Sequence, residues 1–489
     1  MLPFKELITI NRLLPAPVYQ QIANQLISLI HEGIIKPGTA LPSSRQMAEI
    51  LSVHRKTIVA AYEELSAQDW ISSTLRKGVT VSKDLPEIKP RSFKALIKKP
   101  PYHGDTPFGF SGVSISSAAA APAAEHRFII NDGFPDARIA PVEMLLKEYN
   151  RLFRIPAVQR KIVYGELAGA ASLRMALAKF LSETRGLNIS ENNMLVTRGA
   201  QMAIYIVARM IIKPGTTVIV GEPNYGLANM LFLNCGARLV RVAVDENGID
   251  VDAIEKICKK KKPGLLYVVP HHHHPTTVTL SAQRRMKLLQ LIRAYNFPVI
   301  EDDYDYDYHY NSSPILPLAS ADHDGNVIYI GSIGKSFATT VKTGYMVAPQ
   351  NFIQAALQVR RLIDIRGDNL MEEALAALFE SGDMQKHLKK SLKLYHERRD
   401  MFCSLLEQEL GNRIRFQKPA GGMALWASFH KKNPLQVVSQ KASAMGLFMG
   451  DGSFYNTGPV NYNSLRMGFA SLNEREMRES VEVLKKVLK

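Results

Sequence analysis

Long apolar runs are missing: no stretch approaches the roughly 20 residues a bilayer-crossing helix needs, and the opening Met-Leu-Pro-Phe-Lys-Glu lacks the basic-then-apolar pattern of an export signal. Membrane insertion is excluded on this reading, and the protein is expected to stay in the cytoplasm. Cysteine is scarce too. Cys235, Cys258 and Cys403 are odd in number and far apart, which fits neither a disulfide framework nor a CxxC metal site and points to a reducing compartment. Acidic residues fall short of basic ones, 45 against 61, leaving a net charge of +16 that favours a polyanionic partner. What remains is ample for folding. With 489 residues, 46% hydrophobic and 22% charged, the chain is expected to be globular and to form two or more cores.

Residues 17–32 place Val18, Ile22, Leu26 and Ile30 at helical spacing, and the helix ends near Gly33 and Pro37-Gly38. Ser43 with Gln46 is a capping-box signature opening a short helix through Leu51. After a break at Ser52-Val53, a third helix turns Ile58, Ala61, Tyr62 and Leu65 inward and begins with His54-Arg55-Lys56-Thr57. Two short helices with a tight break, the second opening on hydrogen-bond donors, match the helix-turn-helix arrangement. Trp70-Ile71 and Gly78–Val81 then read as two short strands, with Arg76 and Lys77 at the turn of a wing. A solvated charged face is the competing reading of His54, Arg55 and Lys56.

Between 83 and 127 prolines, lysines and an alanine-rich stretch replace any periodicity, as in a basic linker. Beyond it, apolar runs near 194–197, 217–220, 238–244, 264–269, 297–301, 327–331 and 344–348 alternate with helical stretches. That alternation predicts an α/β domain with a mostly parallel sheet and its ligand site at the loops beyond the strand ends. Three domains are expected: a head at 1–82, a linker at 83–127 and a body at 128–489.

The body's loops carry unusual residues. The strand at 327–330 runs into a hydroxyl-rich turn, Gly331 to Tyr345, that holds Lys335 and Lys342. A lysine beside a second cation loses its proton more easily and attacks carbonyls; a surface loop with two ordinary lysines is the alternative. Arg198-Gly199-Ala200-Gln201 opens a helix whose backbone N–H groups suit a phosphate. Tyr225 at a strand mouth suits ring stacking, or a place in the core. Asp302, within Glu301-Asp302-Asp303-Tyr304, follows a buried strand where an unpaired carboxylate is costly, so a protonated pyridine of pyridoxal 5'-phosphate is a fitting partner. Four consecutive histidines, 271–274, invite a metal. Neighbours in an extended segment point to alternate faces, however, so no metal is expected.

The stretch from Pro17 to Val81, with its PGTALPSSR and TIVAAYEEL blocks, resembles the winged helix-turn-helix domain of the GntR regulators. That resemblance implies DNA contacts from Arg45, His54, Arg55, Lys56 and Thr57, and phosphate contacts from Arg76 and Lys77. YGELAG (164–169), TRGAQ (197–201), EPNY (222–225), EDDYD (301–305), GSIGKS (331–336) and SLRMGFA (464–470) resemble the fold-type I aminotransferases in order and spacing. Fused to such a head, they look like the MocR family of pyridoxal-phosphate-dependent transcriptional regulators.

The resemblance implies Lys335 as the Schiff-base lysine, Asp302 on the pyridine nitrogen, Tyr304 on the ring hydroxyl and Tyr225 stacked on the ring. Gly199, Ala200, Gln201 and Ser332 would hold the phosphate, with Lys342 where the family commonly has arginine. His272 would stand near the ring, Tyr164 would reach in from a partner subunit of a homodimer, and Arg466 would clamp an effector carboxylate. The expected function is regulation of transcription by an operator-binding protein that senses an amine, an amino acid or pyridoxal phosphate. A working aminotransferase with an accessory head is the alternative.

Overall fold

The computed structural model describes residues 2–74, 78–86, 105–106, 108–110, 126–310, 315–339, 341–456 and 460–488. The chain divides into two compact units, within 1–111 and within 112–489. Most of the expected linker 83–127, together with Arg76 and Lys77, lies outside the described residues.

The first unit runs α1 (Phe4–Leu7), α2 (Val18–His31), β1 (Ala40–Leu41), α3 (Ser44–Leu51), α4 (Arg55–Ala67), β2 (Ile71–Thr74) and β3 (Gly78–Val81). The predicted capping box is formed at α3: the Ser43 hydroxyl accepts from the Gln46 amide, and the Gln46 side chain accepts from the Ser43 amide. Ser52 adopts a left-handed φ of 52°, which ends α3 and makes the break before α4. Ile22, Leu26, Met47, Ile58 and Leu65 form a common core. Phe4 and Ile8, upstream of the first helix read from the sequence, are buried in it as well. The Tyr62 hydroxyl donates to the Pro42 carbonyl at 2.8 Å, tying α4 to the start of α3. The strands pair antiparallel in the order β1-β3-β2.

The second unit begins with β4 (Phe128–Ile130), α5 (Val142–Phe153), α6 (Pro156–Tyr164) and α7 (Ala171–Arg185). Alternation follows: β5 (Met194–Thr197), α8 (Ala200–Ile211), β6 (Thr217–Glu222), α9 (Gly226–Asn234), β7 (Arg238–Asp245), β8 (Gly248–Ile249), α10 (Val251–Lys260), β9 (Leu265–Val268), α11 (Ala282–Tyr295), β10 (Val299–Asp303), β11 (Val327–Ser332), α12 (Ile333–Ser336) and β12 (Gly344–Val347). These strands form one eight-stranded sheet, β5-β12-β11-β10-β9-β6-β7-β8. Its centre is parallel, as predicted, but β12 lies antiparallel to both β11 and β5. The reason is length. A parallel crossover needs a dozen or more residues, and the short turn carrying Lys335 returns the chain directly.

Helices α13 (Gln350–Arg361), α14 (Asn369–Glu380) and α15 (Asp383–Leu410) lead to a smaller layer. There β13 (Ile414–Phe416), β14 (Ala424–Phe429), α16 (Leu435–Ala444), β15 (Leu447–Met449), β16 (Ser464–Gly468) and α17 (Glu474–Val487) close a separate core around Phe402, Leu425 and Met467. Strand β4 pairs with β15, so the segment just after it passes from the small layer toward the ends of the large sheet. Among the described residues no helix is long and apolar enough to cross a membrane.

Candidate functional site

A cavity of about 520 Å³ opens at the strand ends, bounded by the turn after β11, the N-terminus of α8, the end of β10 and residues 132–134. Register explains why these loops meet. Gly344 on β12 pairs with Ser332 on one side and Thr197 on the other, which sets the lysine turn beside the Gly199 turn. Only glycine fits there: a Cβ on Gly344 would stand 2.6 Å from the Gly199 carbonyl carbon and 2.8 Å from the Ala200 nitrogen.

Lys335 projects from α12 into this cavity. Its Nζ donates to the Gly133 carbonyl at 2.8 Å and sits 4.5 Å from the centre of the Phe134 ring. Burial lowers its pKa to about 8; Asp132 opposes the fall, and Arg466 and Lys342 add to it. The activating cause is therefore chiefly desolvation, with the neighbouring lysine a smaller contributor than the sequence suggested.

On β10, Asp302 accepts a 2.7 Å hydrogen bond from the Tyr267 hydroxyl through Oδ2, while its Oδ1 is buried with no partner. Burial raises its pKa to about 7, against the lowering effect of the Tyr267 bond. Gly199 (φ 79°), Ala200 and Gln201 open α8 and line the cavity, as do Ser332, Lys342 and Arg198. Backbone N–H groups at a helix start, with two cations close by, make an anion cradle.

Tyr225 and Tyr304 also line the cavity; the Tyr304 hydroxyl donates to the His272 carbonyl at 2.9 Å. His272 itself is displaced from its expected place. Its Nδ1 lies 3.0 Å from Asp305 Oδ1 and its ring stacks on His309, behind the cavity wall. The histidine that lines the cavity is His274, at 5.0 Å between ring centres from Tyr225. The cause is local backbone: His272 has a left-handed φ of 43°, so the alternation of an extended segment fails at that residue. The four histidines take separate partners, Asp303, Asp305, Thr276 and Asp132. Among the described residues, no group of three or more His, Cys, Asp or Glu side chains is placed to hold a metal ion.

Arg466 is fully buried on β16 and is absent from the cavity lining. Its Nε lies 3.5 Å from Asp132 Oδ1, and its Nη2 lies 3.9 Å from Asp305 Oδ2. Asp132, unremarked in the sequence, does line the cavity. Tyr164 is 80% exposed and lines no part of the cavity within one protomer. In the head, Arg45, His54, Arg55 and Lys56 are exposed and Thr57 is half-buried, all at the starts of α3 and α4. His54 caps α4, its Nδ1 accepting from the Lys56 amide.

Residues 135–484 match the sequence pattern of the family described as aminotransferase class I and II. The chain belongs to that family. The same chain matches, over residues 18–81, the bacterial regulatory proteins of the gntR family. As an aminotransferase-family chain it has relatives of two builds. It is 26% identical over 489 residues to the probable rhizopine catabolism regulatory protein MocR of Rhizobium meliloti, covering 98% of this chain and 95% of that protein. It is 28% identical over 362 residues to aromatic-amino-acid aminotransferase 1 of Thermococcus litoralis, covering 73% and 87%. The crystal structure of the multiple substrate aminotransferase of Thermococcus profundus superimposes with a TM-score of 0.71 at 25% identity, covering 78% of this chain and 97% of that one.

The family depends on pyridoxal 5'-phosphate, and the donor set here fits that group. The orphaned Oδ1 of Asp302 suits a protonated ring nitrogen, the α8 cradle suits a phosphate, and Lys335 is an amine whose pKa burial brings down to about 8.

Proposed function

We propose that this chain is a pyridoxal-phosphate-dependent transcriptional regulator that binds duplex DNA through its head (1–82). Its body (128–489), joined by the segment 83–127, senses an amine, an amino acid or the cofactor itself. The observation that carries the reading is the combination, in one chain, of a capped helix-turn-helix head and a cavity whose lysine, carboxylate and anion cradle are all in place. A relative named as a regulator aligns along 98% of the chain, head included.

In this reading Lys335 would hold the cofactor through its amine, Asp302 would pair the ring nitrogen and Tyr225 would cover the ring. Gly199, Ala200, Gln201, Ser332 and Lys342 hold the phosphate. When bound, the cofactor supplies a carbonyl that condenses with amines and a ring that accepts electrons. Tyr304, whose hydroxyl donates to the His272 carbonyl, would bond the ring hydroxyl of the cofactor. Arg45, His54, Arg55, Lys56 and Thr57 would enter the major groove or touch its phosphates, and Arg76 and Lys77 would add phosphate contacts. Tyr164, with Met144 and Leu146 exposed on α5, supports a homodimer in which the partner covers these side chains. The match of the head to bacterial regulatory proteins supports a place in the cytoplasm with the DNA. An effector that binds two states of the dimer unequally then alters DNA affinity.

The alternative, a working aminotransferase, draws support from the intact Lys335 and Asp302 pair. One experiment orders the two. A gel shift with DNA upstream of the protein's own gene, at low salt and with and without amines, is expected to show retardation that an effector changes. No retardation, together with multiple turnovers of an amino donor and a keto acid, would reverse the ordering. Lys335→Ala is expected to remove the visible absorbance of the holoprotein, and a persisting band refutes the cofactor role of that lysine.

A further inference from the structure

The carboxylate of Asp132 already occupies the surroundings that Arg466 would offer to a ligand. Three groups converge on it: His274 Nε2 at 2.9 Å from Oδ2, the Tyr455 hydroxyl donating to Oδ1 at 2.8 Å, and Arg466 Nε at 3.5 Å from Oδ1. Arg466 Nε also donates to the Asp132 carbonyl at 3.3 Å. The side chain of Asp132 is 39% exposed and lines the cavity, whereas that of Arg466 is 0% exposed and does not. A ligand that reaches Lys335 therefore meets an anion first. His274, Arg466 and Lys335 outweigh burial and keep that carboxylate well below the usual range, so it is charged at neutral pH.

Arg466 has a second acid near it, Asp305, whose Oδ2 lies 3.9 Å from Nη2. An α-carboxylate brought to this guanidinium would be the third anion around one cation, in a site where like charges repel strongly. From this we infer that Asp132 is a specificity-determining residue: an internal carboxylate that fills the carboxylate clamp and selects primary amines lacking an α-carboxylate over amino acids. The inference rests on the sensing role proposed above and narrows it. Nη1 and Nη2 of Arg466 are buried and make no hydrogen bond. Removing the Asp132 side chain takes away the anion beside Arg466 Nε, which turns the selectivity around. Specificity here comes as much from repelling the wrong ligand as from holding the right one.

The test is a spectral titration of the full-length holoprotein with matched pairs, 2-phenylethylamine against phenylalanine and butylamine against norvaline. The readout is the midpoint concentration of the visible-band shift, which requires no turnover. The wild type is expected to respond to each amine at a concentration at least ~10-fold lower than to its amino acid, the size of a modest charge repulsion. Asp132→Ala is expected to erase or invert that ratio. Asp132→Asn, which keeps the shape and removes the charge, is expected to reduce it; the visible band reports that each variant retains a loaded site. Amino acids matching or beating the amines on the wild type, or an unchanged ratio in both variants, overturns the inference while leaving the sensing role standing. A wild type that holds the cofactor but responds to none of the four ligands likewise overturns the inference, whereas loss of the gel-shift response described above is what overturns the sensing role.

Discussion

Lys335 offers a prediction whose size follows from its surroundings. Burial brings its pKa down to about 8 from an ordinary 10.5. At pH 7 about one-tenth of such an amine is neutral, against roughly one in three thousand for an unperturbed lysine, a gain of ~300-fold in the reactive form. The sign is that of a depressed base: the neutral form appears as pH rises through about 8, two units or more before a surface lysine. The assay is competitive labelling of the apoprotein with trace acetic anhydride between pH 6 and 11, with the Lys335 peptide followed by mass spectrometry against exposed lysines such as Lys179. Asp132 is the foremost group holding this pKa up, so Asp132→Asn shifts the labelling midpoint lower still. A midpoint near 10.5 refutes the desolvation argument for the activation of this residue, and no shift in that variant refutes the part given to Asp132.

Gly344→Ala places a methyl group against the backbone of Gly199 and Ala200; it is expected to cost about 1–3 kcal/mol in overpacking and to weaken cofactor retention, read by thermal unfolding and equilibrium dialysis. Tyr267→Phe strips Asp302 of its hydrogen bond, an expected loss of about 1–3 kcal/mol for the buried carboxylate. Its pKa then rises above about 7; cofactor affinity, which in the wild type climbs with pH and levels off near that value, is expected to keep climbing at higher pH in dialysis experiments. With Lys56 on a phosphate, as the proposed DNA-binding role allows, Lys56→Ala is expected to reduce the slope of log affinity against log salt by about 1, measured by fluorescence anisotropy with an operator fragment.

Much of the fold was readable because local signals agreed with one another. The Ser43 capping box, the break at Ser52 and the spacing of Ile22, Leu26, Ile58 and Leu65 each depend on residues a few positions apart, and the structure forms all of them. The same holds for the sheet: apolar runs near 194–197, 217–220 and 327–331 correspond to β5, β6 and β11. Lys335, Asp302 and the Gly199 turn were legible as a site because strand ends in such a sheet must converge. The direction of β12 was harder, since an apolar run reads alike in either direction.

Three features arose only from tertiary structure. A left-handed φ at His272 turned that ring to Asp305 and left His274 in the cavity, a choice that four identical residues in a row cannot reveal. Gly344 is needed because the Gly199 turn, far away in sequence, approaches to 2.6 Å from its would-be Cβ. Asp132 faces Arg466 across 334 positions of chain. The sequence by itself determined which chemical groups the protein carries and the loops that hold them, because composition, caps and periodicity are local. Which carboxylate meets which cation, and hence what the cavity admits, was decided by packing, because charge pairing depends on distances that only the folded chain sets.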